Sequence, residues 1–283
     1  MRDPSDTADR TWFITGARGL GRAFTTAALE RGDRVVAAAR TIAAEDFDER
    51  HSERLLALPL DLTDRAAVFA AVATAIEHFG LLDIVVNNAG TLSLGMIEEF
   101  TEGQARTQFD VNLFGALWVS QAVLPQLRTQ RAGHIVQISS IAALGGFPST
   151  GLYSASKFAL EGISEALALE AAAFDVKVSI VQPGGYWTNL YQDMTTTTEV
   201  DAYDPLRAQA QWAHGSVDSD PRLAAEALLT LVDRDEPPLR LLLGGTVYDL
   251  AFHLSRRRMD TWASWEQVSR AAEHPVPAPE GLR

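Results

Sequence analysis

The chain contains no cysteine, which excludes disulfides, thiolate catalysis and cysteine-type zinc centres. No apolar run approaches the ~18 residues that a membrane-spanning helix needs, and Met1-Arg2-Asp3-Pro4 opens no signal-peptide pattern. A cytoplasmic protein without a membrane partner is the expectation. Basic residues are outnumbered, 24 Lys and Arg against 37 Asp and Glu, for a formal net charge of −13. That balance argues against nucleic acid or an anionic membrane as the main partner. None of the six histidines has a partner at metal-ligand spacing, so no metal is expected. There is no internal repeat.

What is present is apolar and periodic. The 283 residues are 47% hydrophobic, enough for one α/β domain with a sizeable core. Short apolar runs read as strands at 12–15, 34–39, 55–60, 83–86, 134–138, 176–181 and 239–243. Helices read at 20–31, stopped by Gly32, and from a cap at Thr63 to Phe79, with Gly80 past its end. The capping box Thr101-x-x-Gln104 opens a long helix to about Arg128, and another helix runs from Tyr153 to Phe174. Continuously apolar strands alternating with helices indicate a parallel sheet of about seven strands, covered on both faces. Such sheets bind ligands beyond the carboxyl ends of their strands. Asp61, Asn87, Ser140 and Pro183 all stand at strand ends.

Three regions break the alternation. Residues 189–215 follow the sixth strand directly and are expected to cover a site as a lid; they hold Tyr191, Tyr203 and Trp212. Residues 246–271 read as helical, with Arg256-Arg257-Arg258, Trp262 and Trp265. Residues 275–283, with Pro275, Pro277 and Pro279, read as a loose tail. The whole chain, 1–283, is expected to form one domain, with a core at about 10–245 and an extension over 246–283.

Chemistry concentrates in Y-S-A-S-K. Tyr153 and Lys157 stand four residues apart, one helical turn, on a common face. A phenol titrates near 10 and is a poor acid or base at neutral pH. An ammonium beside it is expected to lower that value and make proton exchange with a substrate oxygen feasible. Ser140, thirteen residues earlier, ends a strand and can place a hydroxyl at the same oxygen, with Ser139 as its competitor. A glycine turn between the first strand and helix can set backbone N–H groups against a pyrophosphate.

These residues resemble the short-chain dehydrogenase/reductase family over roughly residues 10–245. The matching pieces come in the family's order: T-G-A-R-G-L-G at 15–21, Asp61-Leu62, N-N-A-G at 87–90, Asn112, Ser140, Y-S-A-S-K at 153–157 and P-G-G-Y-W-T at 183–188. The resemblance implies a Rossmann-type, doubly wound fold. It implies hydride transfer between a nicotinamide and a carbonyl or alcohol carbon, with Asn112, Ser140, Tyr153 and Lys157 as the catalytic group. Tyr153 would be the general acid/base. Lys157 would lower its pKa and hold the nicotinamide ribose, Ser140 would hold the substrate oxygen, and Asn112 would support a proton-relaying water. Gly16, Gly19, Leu20 and Gly21 would cradle the pyrophosphate, and Arg18 in the same loop would join Arg40 at a 2′-phosphate. Asp61 and Leu62 would flank the adenine, and Asn87, Ala89 and Gly90 would pass the ribose. Pro183, Gly184 and Thr188 would meet the nicotinamide.

One motif departs from the family. The pattern T-G-x-x-x-G-x-G is one residue longer between its first two glycines than Gly16-Ala17-Arg18-Gly19. A tight but working turn is expected; a displaced cradle would instead favour a non-redox enzyme on the same scaffold. A non-catalytic dinucleotide sensor is the third reading, disfavoured by the intact Asn–Ser–Tyr–Lys set. At the end of the second strand Arg40 stands where an acid would favour NAD(H), so NADP(H) is favoured. Apolar and aromatic residues in 144–153 and 186–212, among them Trp187, hint at a hydrophobic carbonyl or alcohol substrate. The family's habit of pairing its two long helices implies a homodimer or homotetramer.

Overall fold

The structure, a computed structural model, describes residues 9–209 and 218–274. Residues 210–215 of the expected lid, with Trp212, and the expected tail 275–283 lie outside the described residues. Strand β1 (Thr11–Thr15) is buried at every position. Helix α1 (Leu20–Arg31) ends at Gly32, whose φ of 101° is the left-handed cap a glycine supplies without strain. Strands β2 (Arg34–Ala39) and β3 (Leu55–Pro59) follow, then α2 (Arg65–Phe79) and β4 (Ile84–Asn87). The two-residue β5 (Ser93–Leu94) precedes α3 (Glu102–Phe109), α4 (Ala116–Gln130) and β6 (Gly133–Ile138). Next come α5 (Gly151–Ala172), β7 (Val176–Pro183), the short β8 (Thr195–Thr196), α6 (Asp204–Gln209) and α7 (Pro221–Val232). Strand β9 (Arg240–Leu243), α8 (Gly245–Ser264) and α9 (Glu266–Ala271) complete the described chain.

Seven strands form one parallel sheet in the order β3-β2-β1-β4-β6-β7-β9. The chain grows outward from β1 to β3, then returns to the other side of β1 with β4. The order therefore switches between β1 and β4, where the loops after the two strands diverge and leave a crevice. Alternate side chains feed two cores. Trp12, Ile14, Val35 and Val86 pack with Phe24 and Leu29 of α1 and Leu228 and Leu231 of α7. Phe13, Val36, Val85 and Ile135 pack with Val68 and Val72 of α2, Val119 and Val123 of α4, and Ala171 of α5. Each fully buried Phe, Leu or Ile contributes roughly 1.5–3 kcal/mol.

Four sequence expectations change. The cap of α2 is Asp64, whose carboxylate accepts the Ala67 N–H at 3.0 Å, while Thr63 instead gives its hydroxyl to Asp61 at 2.8 Å. The long helix after Thr101 is interrupted by a π-helical turn, Asp110–Gly115. Helix α7 lies where no helix was expected. It begins at Pro221 with Asp220 as its cap, a recognised start signal. The chain after β7 does not stay a plain loop, since β8 pairs in parallel with β5.

Candidate active site

The crevice brings the scattered motifs together. Its floor is the glycine turn. Gly16 has φ 62°, and a Cβ there would lie 2.6 Å from the Ala89 Cα. The shortened loop closes on itself, with the Arg18 N–H donating to the Gly16 carbonyl at 2.6 Å and the Ala17 N–H to Ala38 at 3.2 Å. Asn88, which the sequence reading left unassigned, fastens the turn: its amide donates to the carbonyls of Thr15 at 3.2 Å and Gly16 at 2.8 Å. The second Asn of N-N-A-G was the available signal. The N–H groups of Gly19, Leu20 and Gly21 find no acceptor among the described residues. They point from the start of a 12-residue helix, the arrangement that suits a pyrophosphate. Thr188 packs on the same turn, its Cβ 3.0 Å from where a Gly19 Cβ would stand.

Arg18 and Arg40 are both exposed, and neither forms an ion pair among the described residues. Asp61 accepts the Thr63 N–H at 2.9 Å and the Thr63 hydroxyl. These bonds, with the field of Arg40, hold its carboxyl below the usual range. Leu62 turns into the core against Gly115. Asn87 is buried and donates to the Ala116 carbonyl at 3.3 Å and Ser120 at 3.2 Å, tying β4 to the helix beside it. Gly90 adjoins Asn112 and Lys157: a Cβ there would lie 3.4 Å from Asn112 Oδ1 and 3.5 Å from Lys157 Nζ. Pro183 ends β7, and Gly184 lets Val247 of α8 approach to 2.9 Å of its absent Cβ. Unpaired helix amides, a side-chain-free floor and two unpaired guanidiniums fit a phosphorylated dinucleotide.

At the crevice end nearest α5, Ser140 Oγ accepts the Ala142 N–H at 3.1 Å, which leaves its own proton free to donate. Ser139, its competitor in the sequence, donates instead to Glu161 at 2.6 Å. Lys157 is 3% exposed and donates to the Ile138 carbonyl at 2.8 Å; its Nζ is 5.9 Å from the centre of the Tyr153 ring. Burial lowers the Lys157 pKa to about 8, opposed by the charge of Glu161. The expected lowering of the Tyr153 pKa does not appear. Desolvation raises it, Ser140 opposes, and Tyr191 adds to the rise. The ammonium that was to lower it is itself desolvated and hydrogen-bonded to a carbonyl.

Asn112 sits in the π-turn. Its amide donates to the Thr91 carbonyl and to Ser156 Oγ, both at 3.0 Å, and its Oδ1 accepts the Thr91 N–H at 2.8 Å. Its side chain is thus fully engaged in joining α5 to the N-N-A-G loop. Trp187, 71% exposed, and Tyr191, 45% exposed, border the opening. Tyr203 instead donates to Glu98 at 2.8 Å, away from the centre. The segment after β7 is pinned by Glu99, which accepts from Met96 N at 2.7 Å, Val200 N at 2.9 Å and Thr197 at 2.8 Å and pairs with Arg207.

Comparison with known proteins agrees with this geometry. The short chain dehydrogenase family model matches residues 10–199. An oxidoreductase of Botryotinia fuckeliana, BOA17, is 36% identical over 278 residues, covering 93% of this chain and 99% of the relative. A 3-ketodihydrosphingosine reductase of Bacteroides thetaiotaomicron is 35% identical over 245 residues, covering 83% and 88%. A short-chain dehydrogenase from Streptomyces avermitilis superposes with a TM-score of 0.88 at 36% identity, covering 94% and 100%. One from Burkholderia cenocepacia, in complex with NADP, gives 0.73 at 26% identity, covering 91% and 98%. The chain belongs to the short-chain dehydrogenase/reductase family and is an oxidoreductase of that family.

Proposed function

We propose that the protein uses NADP(H) to interconvert a carbonyl and an alcohol, with Tyr153 as the general acid/base. The observation that carries the reading is the grouping of Ser140, Tyr153 and Lys157 at the crevice end: Lys157 Nζ lies 5.9 Å from the centre of the Tyr153 ring and donates to Ile138, two residues before Ser140. The nicotinamide, when bound, supplies the hydride chemistry. Glycines 16, 19 and 21, Leu20, Asp61, Leu62, Asn87, Ala89, Gly90, Pro183, Gly184 and Thr188 would hold it, with Lys157 at its ribose.

In reduction, Ser140 holds the substrate oxygen and the neutral Tyr153 hydroxyl gives it a proton. The raised pKa keeps that phenol protonated and ready as an acid. In oxidation the same oxygen takes the proton back. Lys157, mostly charged at neutral pH with a pKa of about 8, stabilises the phenolate left behind. Asn112 fixes the helix that carries both residues. The exposed Arg18 and Arg40 supply paired charge for a 2′-phosphate, which favours NADP(H) over NAD(H).

For substrate, Trp187, Tyr191 and Met194 on the segment after β7 and Ile97 after β5 are exposed apolar side chains, suited to a hydrophobic ketone or alcohol. The reductase activity in the name of the Bacteroides relative is of that chemical kind. The partner is a small molecule, in the cytoplasm, with no metal, nucleic acid or membrane. The deciding experiment is NADPH oxidation with a panel of hydrophobic ketones. Wild-type protein is expected to turn over. Tyr153→Phe should lose roughly 10²–10⁴-fold in kcat, with NADPH affinity by fluorescence titration within about twofold. Full activity in the phenylalanine variant would eliminate the assignment.

A further inference from the structure

We propose that Glu161 is a positioning residue of the reaction centre, locking the helix of Tyr153 and Lys157 onto the strand ends of Ser140 and Pro183 and serving as the counter-charge of Lys157. The chain spends a carboxylate in the interior here: Glu161 is 7% exposed. A buried charge persists only when it is paired and hydrogen-bonded. Its Oε1 accepts the Ser139 hydroxyl at 2.6 Å and the Gln182 amide at 2.8 Å. Its Oε2 accepts Arg240 Nε at 3.2 Å.

Each donor comes from a different strand end. Ser139 follows β6 and adjoins Ser140. Gln182 precedes Pro183 in β7. Arg240 opens β9. Glu161 itself stands one turn after Lys157 on α5, so the two side chains share a face. One carboxylate therefore sets how far α5 stands from all three strands, and with it the approach of Tyr153 to Ser140.

The charges around the pair are few. Glu161 is faced by Lys157 and Glu165 on its own helix and by Arg240 from β9; β6 and β7 present only neutral donors. Arg240 also pairs with Glu165, so its charge is divided. Lys157 is faced by Tyr153 and Glu161 on α5, the Ile138 carbonyl on β6 and the Asn112 amide of the π-turn. Glu161 is the one carboxylate whose charge favours the ammonium. Without it, burial alone acts on Lys157, and the lysine would lose its proton at a lower pH.

The kinetic consequence rests on the acid–base reading above; the direct test does not. Lys157 and Lys177 are the chain's only lysines. Protein labelled with ¹³C at lysine Cε therefore gives two side-chain signals to titrate by NMR, and Lys157→Ala assigns them. The wild-type Lys157 midpoint is expected near 8. In Glu161→Gln it should fall by about one unit, with Lys177 unmoved. Glu161→Asp, its charge withdrawn by one methylene, should shift the same way by less, and it replaces Glu161→Gln if that variant does not fold. A fall of less than about half a unit in Glu161→Gln, or any rise in either variant, overturns the proposal.

In the NADPH-driven assay, the fall of kcat at high pH should begin at lower pH by the same amount. At pH 7.5 that is about a threefold loss in Glu161→Gln, recovered near pH 6. An equal loss at every pH would make Glu161 scaffolding alone and overturn the counter-charge. Should wild-type protein reduce no ketone, the proposed function falls while the lysine titration still decides this inference.

Discussion

Two guanidiniums, Arg18 and Arg40, stand exposed and without an ion pair among the described residues, and the field of Arg40 reaches Asp61. A 2′-phosphate would satisfy them both. Arg40→Asp replaces the attraction by repulsion, so NADPH affinity should fall by at least tenfold, a loss of about 1.4 kcal/mol, while NADH affinity holds or rises. Fluorescence titration with both cofactors checks this, and equal wild-type affinity for the two would remove Arg40 from the argument. At this scale part of the layout was legible: Tyr153 and Lys157 share a helix, with Lys157 Nζ 5.9 Å from the centre of the Tyr153 ring, as their spacing suggested. The protonation of Tyr153 was not, because spacing says nothing about desolvation. Glu161 was silent for a related reason. An acidic residue on a helix reads as solvated until the strands that bury it are known.

Among the elements, the tight glycine turn and the lid carry the sharpest expectations. The Arg18–Gly16 bond closes the shortened turn while leaving the amides of Gly19, Leu20 and Gly21 free. Inserting one serine after Ala17 restores the family length and should tighten NADPH binding only modestly, by less than about tenfold in Kd, since no free amide is missing to begin with. A larger gain would mean the cradle is displaced. The lid depends on Glu99, whose accepted hydrogen bonds and Arg207 pairing outweigh burial and bring its pKa to about 2. A carboxyl depressed in the folded state adds stability above its ordinary value and loses it as pH falls through the depressed one. The lid should therefore loosen between about pH 4.5 and 2, and Glu99→Gln should loosen it at neutral pH. Limited proteolysis within 189–209 measures both. Helix boundaries were readable where glycine or a capping box marks them, as at Gly32, Gly80 and Thr101. The π-turn at Asp110–Gly115 has no such mark, because it answers to Thr91, which draws Asn112 across from another loop.

For the whole molecule, exposed apolar side chains stand on the π-turn that leads into α4, on α5 and on α8. Phe114 and Phe158 are each 40% exposed, Leu169 82%, Met259 53% and Trp262 64%. A homodimer or homotetramer that buries the α4–α5 face is our expectation, measured by light scattering at micromolar concentration; a monomer would contradict it. The parallel sheet followed from strands alternating with helices, and the helical reading of 246–271 matches α8 and α9, whereas the strand order and the reach of α8 to Leu144 through Arg258 depend on contacts no local pattern announces. The near-absence of lysine has a practical side. The chain meets most of its need for positive charge with arginine, which keeps its proton at any working pH, and one of its two lysines, Lys157, is buried at the crevice. Its second lysine, Lys177, lies at the far end of β7 from the crevice. Amine-reactive coupling through side chains would thus tether the molecule by the base of its sheet and leave the mouth of the crevice facing outward.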